Sequence, residues 1–187
     1  MLQNEWAELQ TPPKWGRYVN KFELWDSSFR ITGSPSVYRE FFTNEKNEEG
    51  KIIIWRGKEE PSDKFFEDNA QEWEYWQQKS LVWAIPAWDY QQESVVVLQI
   101  KKNALIIALY NLATNEDRGD PKNYDIVIGK TWAKKETRYT LIPKPPKELP
   151  KEIKESIKET PIDVSVLIDN WDPFKVIEEF PITEDSD

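Results

Sequence analysis

Residues 81–142 set the order of secondary structure around which the rest of the chain must arrange itself. This stretch opens with LVWAIPAWDYQQESVVVLQI. The polar triplet Gln91-Gln92-Glu93 divides it into two apolar runs, and β-branched residues such as Val95-Val96-Val97 favour a pleated sheet. The sequence therefore predicts two strands joined by a polar turn.

The middle of the stretch predicts one helix, over about residues 101–114. Asn103 is placed to cap its start, and Gly119-Asp120-Pro121 prevents its continuation, because proline lacks an N–H group and clashes with the preceding turn. Apolar residues recur at three- and four-residue spacing and form a single stripe. They are Leu105, Ile106, Leu109, Leu112 and Ala113.

A second hairpin follows the helix. Ile126 and Ile128 alternate with polar neighbours before a turn at Lys134-Lys135, and Tyr139 and Leu141 do so after it. A single helix inserted into an antiparallel sheet is the layout of an OB-type, partly open barrel, although other α+β folds share it. We therefore predict a mainly β protein with one core helix, folded as a five-stranded antiparallel OB-type barrel.

This second hairpin is basic, although the chain as a whole is acidic. The net charge is −9, yet residues 122–147 hold seven Lys or Arg and only two acidic residues. Trp132 and Tyr139 lie within the same stretch. Basic groups interleaved with aromatic rings suit a single-stranded nucleic acid, because the charges follow the phosphates and the rings stack on the bases.

The negative charge is concentrated near the C-terminus. Residues 1–150 hold 21 basic and 23 acidic groups, whereas residues 151–187 hold 4 basic and 11 acidic groups. The body is thus nearly neutral. Since binding depends on the local field, the acidic total does not exclude nucleic acid as a partner.

Composition excludes several kinds of chemistry. The chain has no cysteine and no histidine, which leaves a structural zinc site without its ordinary ligands and rules out Ser-His-Asp or Cys-His catalysis. We expect no cofactor. No run of about 18 apolar residues is present, and the acidic, polar N-terminus does not have the pattern of a signal peptide. We therefore expect a cytoplasmic protein.

Several segments resemble the single-stranded DNA-binding proteins of bacteriophages and prophages. The run NEDRGDPKNYDIVIGKTWAKKETRYTLIPKPPKEL resembles that family's Gly-Asp-Pro turn, Tyr-Asp-Ile strand, charged hairpin and Pro-Lys-rich exit. PPKWGRYVNKFELWDSSFRITGS is similar to its opening strand, and WAIPAWDYQQESVVVLQI to its central hairpin. The resemblance covers roughly residues 12–150, with a weaker similarity at Asp172-Pro173-Phe174.

This resemblance implies an OB-fold that binds single-stranded DNA without sequence preference in DNA replication or recombination. It implies a viral protein acting in the host cytoplasm. It also implies that an acidic C-terminal tail recruits replication or recombination proteins, or covers the protein's own groove. A weak homo-oligomer is compatible with it.

The chain divides into three predicted parts. Residues 1–16 form an N-terminal arm, residues 17–150 form the OB-type domain with an insertion at about 43–80, and residues 151–187 form a short helix and a flexible acidic tail. The insertion is interpreted either as a lid or partner site, or as a packed surface element. Residues 162–171 are interpreted either as packed on the body or as part of the loose tail.

The candidate binding residues combine a charge with a nearby ring, or lie at the ends of the central strands and in the last hairpin. Each has a structural alternative, as a core ring or as a solvated charge. The nucleic-acid candidates are Arg17, Tyr18, Trp25, Arg30, Trp55, Arg56, Trp88, Tyr90, Lys101, Lys102, Lys130, Trp132, Lys134, Lys135, Arg138 and Tyr139. The partner-binding candidates in the tail are Asp172, Phe174, Glu184, Asp185 and Asp187.

Two other classes of function are compatible with parts of the sequence. Acidic residues alone can build a metal nuclease or a glycosidase, but the spacings of Asp117 with Asp120 and of Glu72 with Glu74 are not distinctive, so we expect no enzymatic activity. The alternative to DNA binding is an OB-like module whose acidic surface binds a protein. Exposed rings with basic neighbours in one groove would favour DNA, and a groove lined by Asp and Glu would favour a protein.

Overall fold

The computed structural model describes residues 17–20, 22, 27–68, 80–133 and 136–175. The predicted arm at residues 1–16 lies outside them. The described strands are β1 (Tyr18–Val19), β2 (Ser27–Ile31), β3 (Ser36–Lys46), β4 (Ile52–Gly57), β5 (Ser80–Asp89), β6 (Ser94–Ile100), β7 (Tyr124–Ala133) and β8 (Glu136–Pro146). The helices are α1 (Asp63–Asp68), α2 (Asn103–Ala113) and α3 (Lys151–Glu159), with two 3-10 helices, η1 (Pro121–Asn123) and η2 (Val164–Asp169).

The strands form one open sheet in the order β1-β6-β5-β2-β7-β8, and β3 pairs with both β5 and β4. All pairs are antiparallel except β1 with β6. The mainly β fold and both predicted hairpins are therefore confirmed. The described sheet has eight strands instead of five, and its pairing does not close it into a barrel.

Strands β2 and β3 behave as one long strand with a bend. Ile31 pairs with Ala87 and Ser36 pairs with Ala84, so the four residues between them on this strand face only two on β5. The extra residues are accommodated at Gly33-Ser34-Pro35, where proline has no N–H group to offer a sheet ladder. Beyond the bend β2 pairs with β7 and β3 pairs with β4, so the sheet divides into two wings.

Helix α2 covers the inner face of the sheet. Its buried stripe of Leu105, Ile106, Leu109 and Leu112 packs into a core with side chains of β2, β5, β6 and β7. Full burial of one such side chain contributes roughly 1.5–3 kcal/mol. The apolar stripe predicted from spacing is thus the element that completes the core.

The ends of α2 differ in how well they were predicted. The predicted cap by Asn103 is wrong: Asn103 is already helical, Lys102 is at the N-cap, and no side chain caps the helix. The predicted exit turn is confirmed, with Gly119 at φ +72 in the left-handed region that glycine tolerates. Asp120 then accepts a hydrogen bond from the Lys122 N–H at 2.9 Å and begins η1.

The C-terminal part is ordered well beyond the predicted short helix. Val164 and Leu167 are buried against the outer face of the sheet, where they contact a cluster that includes Tyr38 and Val97. The expectation of a flexible tail over all of 161–187 is therefore wrong for residues 161–175, because these apolar side chains match an apolar sheet face. The alternative that 162–171 packs on the body is the one the structure shows.

Residues 36–68 form a hairpin and a short helix in the region predicted as an insertion. Strand β3 continues to Lys46, past the predicted insertion start at 43. Ser62 caps α1, since its Oγ accepts a hydrogen bond from the Phe65 N–H at 3.3 Å. Phe65 and Phe66 both pack edge-on against Phe41, so α1 is a packed surface element.

The end of the predicted OB-type domain is still paired in the sheet, since β8 continues as far as Pro146. The short helix predicted after residue 150 is confirmed as α3. Within the described ranges, none of the helices is both long and apolar enough to cross a membrane.

Candidate nucleic-acid interface

The predicted binding residues fall in three separate places. One group surrounds β1, a second lies where β2, β5 and β7 meet, and a third lies on the β7–β8 hairpin. Trp25, Lys134, Lys135, Glu184, Asp185 and Asp187 lie outside the described residues. Most of the described candidates therefore lie in three local environments and not in one groove.

The group around β1 contacts the chain's own C-terminal segment, which we define as residues 162–175. Arg17 and Tyr18 both contact Phe174: the Arg17 guanidinium lies 4.4 Å from its ring centroid, and the Tyr18 ring packs edge-on at 6.2 Å. Burial raises the pKa of the Tyr18 phenol, and the nearby Asp172 carboxylate raises it further. Two residues that were predicted to bind DNA therefore contact a residue that was predicted to belong to the partner-binding tail.

Arg56 and Lys101 neutralise a buried carboxylate beside this group. Glu40 accepts from the Arg56 Nε at 3.1 Å and from the Lys101 Nζ. Arg56 also donates to the Leu167 carbonyl at 3.1 Å. Both cations are therefore occupied in holding β3, β4, β6 and the C-terminal segment together, while Lys102 next to them is exposed.

Tyr38 lies beneath the same cations. Its ring is fully buried, the Arg56 guanidinium lies 5.4 Å from the ring centroid, and the Gln99 amide donates to its hydroxyl at 3.2 Å. Burial raises the pKa of Tyr38 to about 12. The hydroxyl therefore stays protonated throughout the physiological range.

The second group forms a buried network rather than a surface. Arg30 is only 2% exposed; its Nε donates to Asp125 Oδ1 at 2.7 Å and its Nη2 donates to the Lys147 carbonyl at 2.9 Å. The Tyr90 hydroxyl donates to the same Asp125 oxygen at 2.9 Å. Burial, followed by the bond to Asp125, raises the pKa of Tyr90 to about 12.

Trp55 and Trp88 are the candidate tryptophans whose side chains are described, and both pack against neighbouring residues. Trp88 is 6% exposed and pairs across the sheet with Arg30 and Val95, which are also buried. Trp55 is half-buried, at 5.4 Å from Phe41 and 5.6 Å from Phe65 between ring centroids. Neither ring is free to stack on a base in this conformation.

The third group lies on the β7–β8 hairpin, whose outer face is open. Alternation places Tyr139 and Leu141 on the inner face, where Tyr139 packs edge-on against Phe22 at 6.1 Å. The intervening residues face outwards and are exposed, and we call them the outer strip. It consists of Arg138, Thr140, Ile142 and Lys144.

Charge on the outer strip is uncompensated by described neighbours. Arg138 and Lys144 take part in none of the ion pairs between described residues. Lys130 is half-buried opposite Tyr139, and the Trp132 backbone pairs with Thr137, although the position of its side chain is not described. Among the described residues, the hairpin therefore gathers four predicted residues with three that were missed, Thr140, Ile142 and Lys144.

The missed residues had a signal in the sequence. Once Tyr139 and Leu141 are assigned to the core face, a period of two assigns Arg138, Thr140, Ile142 and Lys144 to the opposite face. The prolines at 143, 145 and 146 hid this pattern, because proline in a strand argues against a paired assignment. Here β8 is the last strand in the sheet order, a position that tolerates proline.

The described tail candidates act within the chain. Asp172 is exposed and accepts a hydrogen bond from the Phe174 N–H at 3.0 Å, which forms the turn that presents the Phe174 ring. No group of three or more Asp or Glu side chains within the described ranges is arranged to hold a metal ion. The Asp117–Pro121 stretch is used in the exit turn of α2.

No family model matches this chain, and neither the curated proteins nor the solved structures include one that is significantly similar to it.

Proposed function

We propose that the chain binds single-stranded DNA without sequence preference, and that its central sheet is an OB-type barrel left open on one side. Two features support the fold part of this proposal. The sheet contains the strand order β6-β5-β2-β7-β8, and α2 lies between β6 and β7 along the chain, that is, between the two hairpins. An OB-fold is a five-stranded, partly open barrel with oligonucleotide-binding loops. In this assignment β1, β3 and β4 are additions to the barrel.

The observation that carries the DNA proposal is the outer strip. Arg138 and Lys144 are exposed, unpaired among described neighbours, and separated by Thr140 and Ile142 in an otherwise acidic protein. At about 3.4 Å per residue the strip is roughly 20 Å long. A basic line of this kind follows a nucleic-acid backbone, and the apolar Ile142 between the charges suits contact with bases.

Because Trp88 is buried and Trp55 is half-buried against other rings, the expected source of binding affinity changes. Base stacking on these rings is not part of the proposal, so most of the affinity comes from phosphate contacts. Such binding releases counterions, and log K then falls linearly with log salt, with a slope of about −0.7 per phosphate on a single strand. Protection of replication or recombination intermediates of a phage, in the host cytoplasm, is the context that the family resemblance suggests.

The test is an anisotropy titration with a fluorescent thymidine oligomer at two salt concentrations. The double variant Arg138→Gln with Lys144→Gln should bind at least about tenfold more weakly and lose about 1.4 from the salt slope, for two phosphate contacts. The matched control replaces Lys64 and Lys158, which are exposed elsewhere, with Gln. Equal loss in both variants, or no binding by the wild type, would overturn the proposal.

A second candidate function rests on a different observation. The outer face of β3, β5 and β6 already holds a peptide segment, the chain's own residues 162–175. A sheet face that accepts one such segment is suited to a similar segment from a protein partner. Binding of a partner protein that persists at high salt, without binding of the oligomer, would favour this candidate.

A further inference from the structure

A cavity of about 540 Å³ opens where β2, η1, the end of β8 and the start of α3 meet. We call it the basic pocket. Four of its lining residues are cationic, namely Arg30, Lys122, Lys147 and Lys154. Glu148 is the one carboxylate in the described lining. None of the DNA-binding predictions from sequence combined these residues.

Arg30 provides a fixed donor at the base of this pocket. Its Nε and Nη2 are occupied by Asp125 and by the Lys147 carbonyl, which hold the planar group in place. No hydrogen bond between described residues uses its Nη1. Arg30 is 2% exposed and lines the cavity with unused N–H groups. An anion that enters the cavity can accept hydrogen bonds from these groups.

The three lysines surround this donor with mobile charge. Lys147 has no ion pair among the described residues, and its N–H donates to the Asn123 carbonyl at 3.1 Å, which ties β8 to η1. Lys122 pairs with Asp120 at 3.1 Å, and Lys154 approaches Glu148 at 3.7 Å. Both pairs are well exposed, and exposed pairs contribute little, so either lysine can turn to an anion at small cost.

Two features make phosphate the anion that fits best. The unused Nη1 of a guanidinium can donate to phosphate oxygens, and several ammonium groups can neutralise more than one negative charge. The pocket also continues the outer strip, because Lys144 on β8 is followed within three residues by Pro146 and Lys147 in its lining.

We propose that the basic pocket is a phosphate subsite. Building on the proposed function, we further propose that it holds a phosphate of the single strand that runs along the outer strip. The same groups would bind a terminal phosphate or an internal one. The two cases differ in whether the strand ends at the pocket or continues beyond it.

The test compares two triple variants of the full chain. The pocket variant carries Lys122→Gln, Lys147→Gln and Lys154→Gln. The control carries Lys51→Gln, Lys64→Gln and Lys158→Gln, which removes the same charge from exposed positions elsewhere. Arg30 is left intact because its buried ion pair supports the fold.

The first measurement is a titration with inorganic phosphate followed by phosphorus NMR line width. The wild type and the control should broaden the phosphate signal, and the pocket variant should not. Broadening that persists in the pocket variant, or that is absent from the wild type, would overturn the subsite.

The second measurement uses thymidine oligomers with and without a 5′-phosphate. The pocket variant should bind about tenfold more weakly than the control at low salt, with about 0.7 less salt slope for one lost phosphate. Loss with both oligomers indicates an internal phosphate, and loss only with the phosphorylated oligomer indicates a terminal one. Unchanged binding of both would overturn the pocket's role in holding the strand.

The two proposals fail in different ways. If the oligomers bind to the wild type and to the pocket variant alike, DNA binding stands and the pocket's part in it is wrong. If no oligomer binds, while binding of inorganic phosphate is lost only in the pocket variant, the phosphate subsite stands and the DNA proposal is wrong.

Discussion

The guanidinium carbon of Arg17 lies 4.4 Å from the centre of the Phe174 ring, and this contact joins two segments far apart in the chain. Tyr18 meets the same ring edge-on at 6.2 Å. Phe174 therefore anchors the end of the C-terminal segment over residues that the sequence suggested for DNA binding. Phe174 thus occupies one side of both residues, although Tyr18 is still 40% exposed.

Replacing Phe174 with Ala should loosen the end of the C-terminal segment without unfolding the protein. The lost contacts are a cation–π interaction of about 0.5–1 kcal/mol and an aromatic pair of about 0.5–1.5 kcal/mol. Hydrogen exchange should accelerate in residues 170–175 and around β1. Trp171→Ala, at a ring that is 51% exposed, is the control and should leave exchange unchanged.

Replacing Leu167 with Ala should cost far more, about 2–5 kcal/mol of unfolding free energy. Leu167 is 2% exposed in the outer-face cluster, so its loss leaves a cavity against Tyr38 and Val97. Urea denaturation measures the change, with Ile107→Ala on the exposed side of α2 as the control. A loss as small as that of the control would mean that the segment does not unfold together with the sheet.

Replacing Arg30 with Met should destabilise the fold by about 3–5 kcal/mol, because it leaves Asp125 as an uncompensated, mostly buried charge. Lys64→Met breaks the exposed pair with Asp68, which is worth about 0.3–0.5 kcal/mol. Comparison of the two denaturation midpoints tests this difference. Similar midpoints would show that the Arg30–Asp125 pair does not stabilise the junction of β2 and β7.

Stability should fall as the pH rises from about 10 towards about 12, partly because of Tyr90. Its folded pKa is raised to about 12 by burial and by Asp125, whereas an unperturbed tyrosine phenol has a pKa of 10.0. Between these values the unfolded chain has released the proton and the folded chain has kept it, so higher pH favours unfolding. Below about pH 10 the contribution is fully present.

The variant Tyr90→Phe should therefore show a shallower decline in stability over this pH range. Tyr110→Phe, at an exposed ring on α2, is the control and should retain the wild-type slope. Unfolding free energies at a series of alkaline pH values provide the measurement. Tyr38 has the same raised pKa, so a residual slope is expected in the Tyr90 variant.

Neutralising the acidic residues of 176–187 should tighten binding to a thymidine oligomer at low salt by about threefold, because like charge repels the strand. The variant replaces Glu178, Glu179, Glu184, Asp185 and Asp187 with their amides. The gain should vanish near 1 M salt, where the screening length is about 3 Å. Recruitment of a protein partner by the tail should be lost.

A control for this tail variant removes the same charge from the body. It replaces the exposed residues Glu45, Glu48, Glu59, Glu67 and Glu116 with Gln. Equal tightening in both variants would show that only net charge matters. No tightening in the tail variant would show that the tail does not oppose DNA binding.

Local patterns were enough to predict the elements nearest in sequence. The apolar runs of β5 and β6, the helical stripe of α2 and the Gly119 turn depend only on neighbouring residues, and all three appear in the structure. The open sheet and the split of β2–β3 into two wings were not predictable in this way. They depend on which strand meets which across long separations in the chain.

The sequence by itself thus determined which helices and strands form and on which face of a strand each side chain lies. Alternation puts Arg30 and Trp88 on the outer face, where an isolated sheet would expose both. Tertiary structure decided that they are buried, because Asp125 and the chain around Lys147 come to Arg30 from distant segments. Exposure depends on everything that packs on a face, which is why tertiary contacts, and not local pattern, buried Arg30 and Trp88 and left the outer strip open.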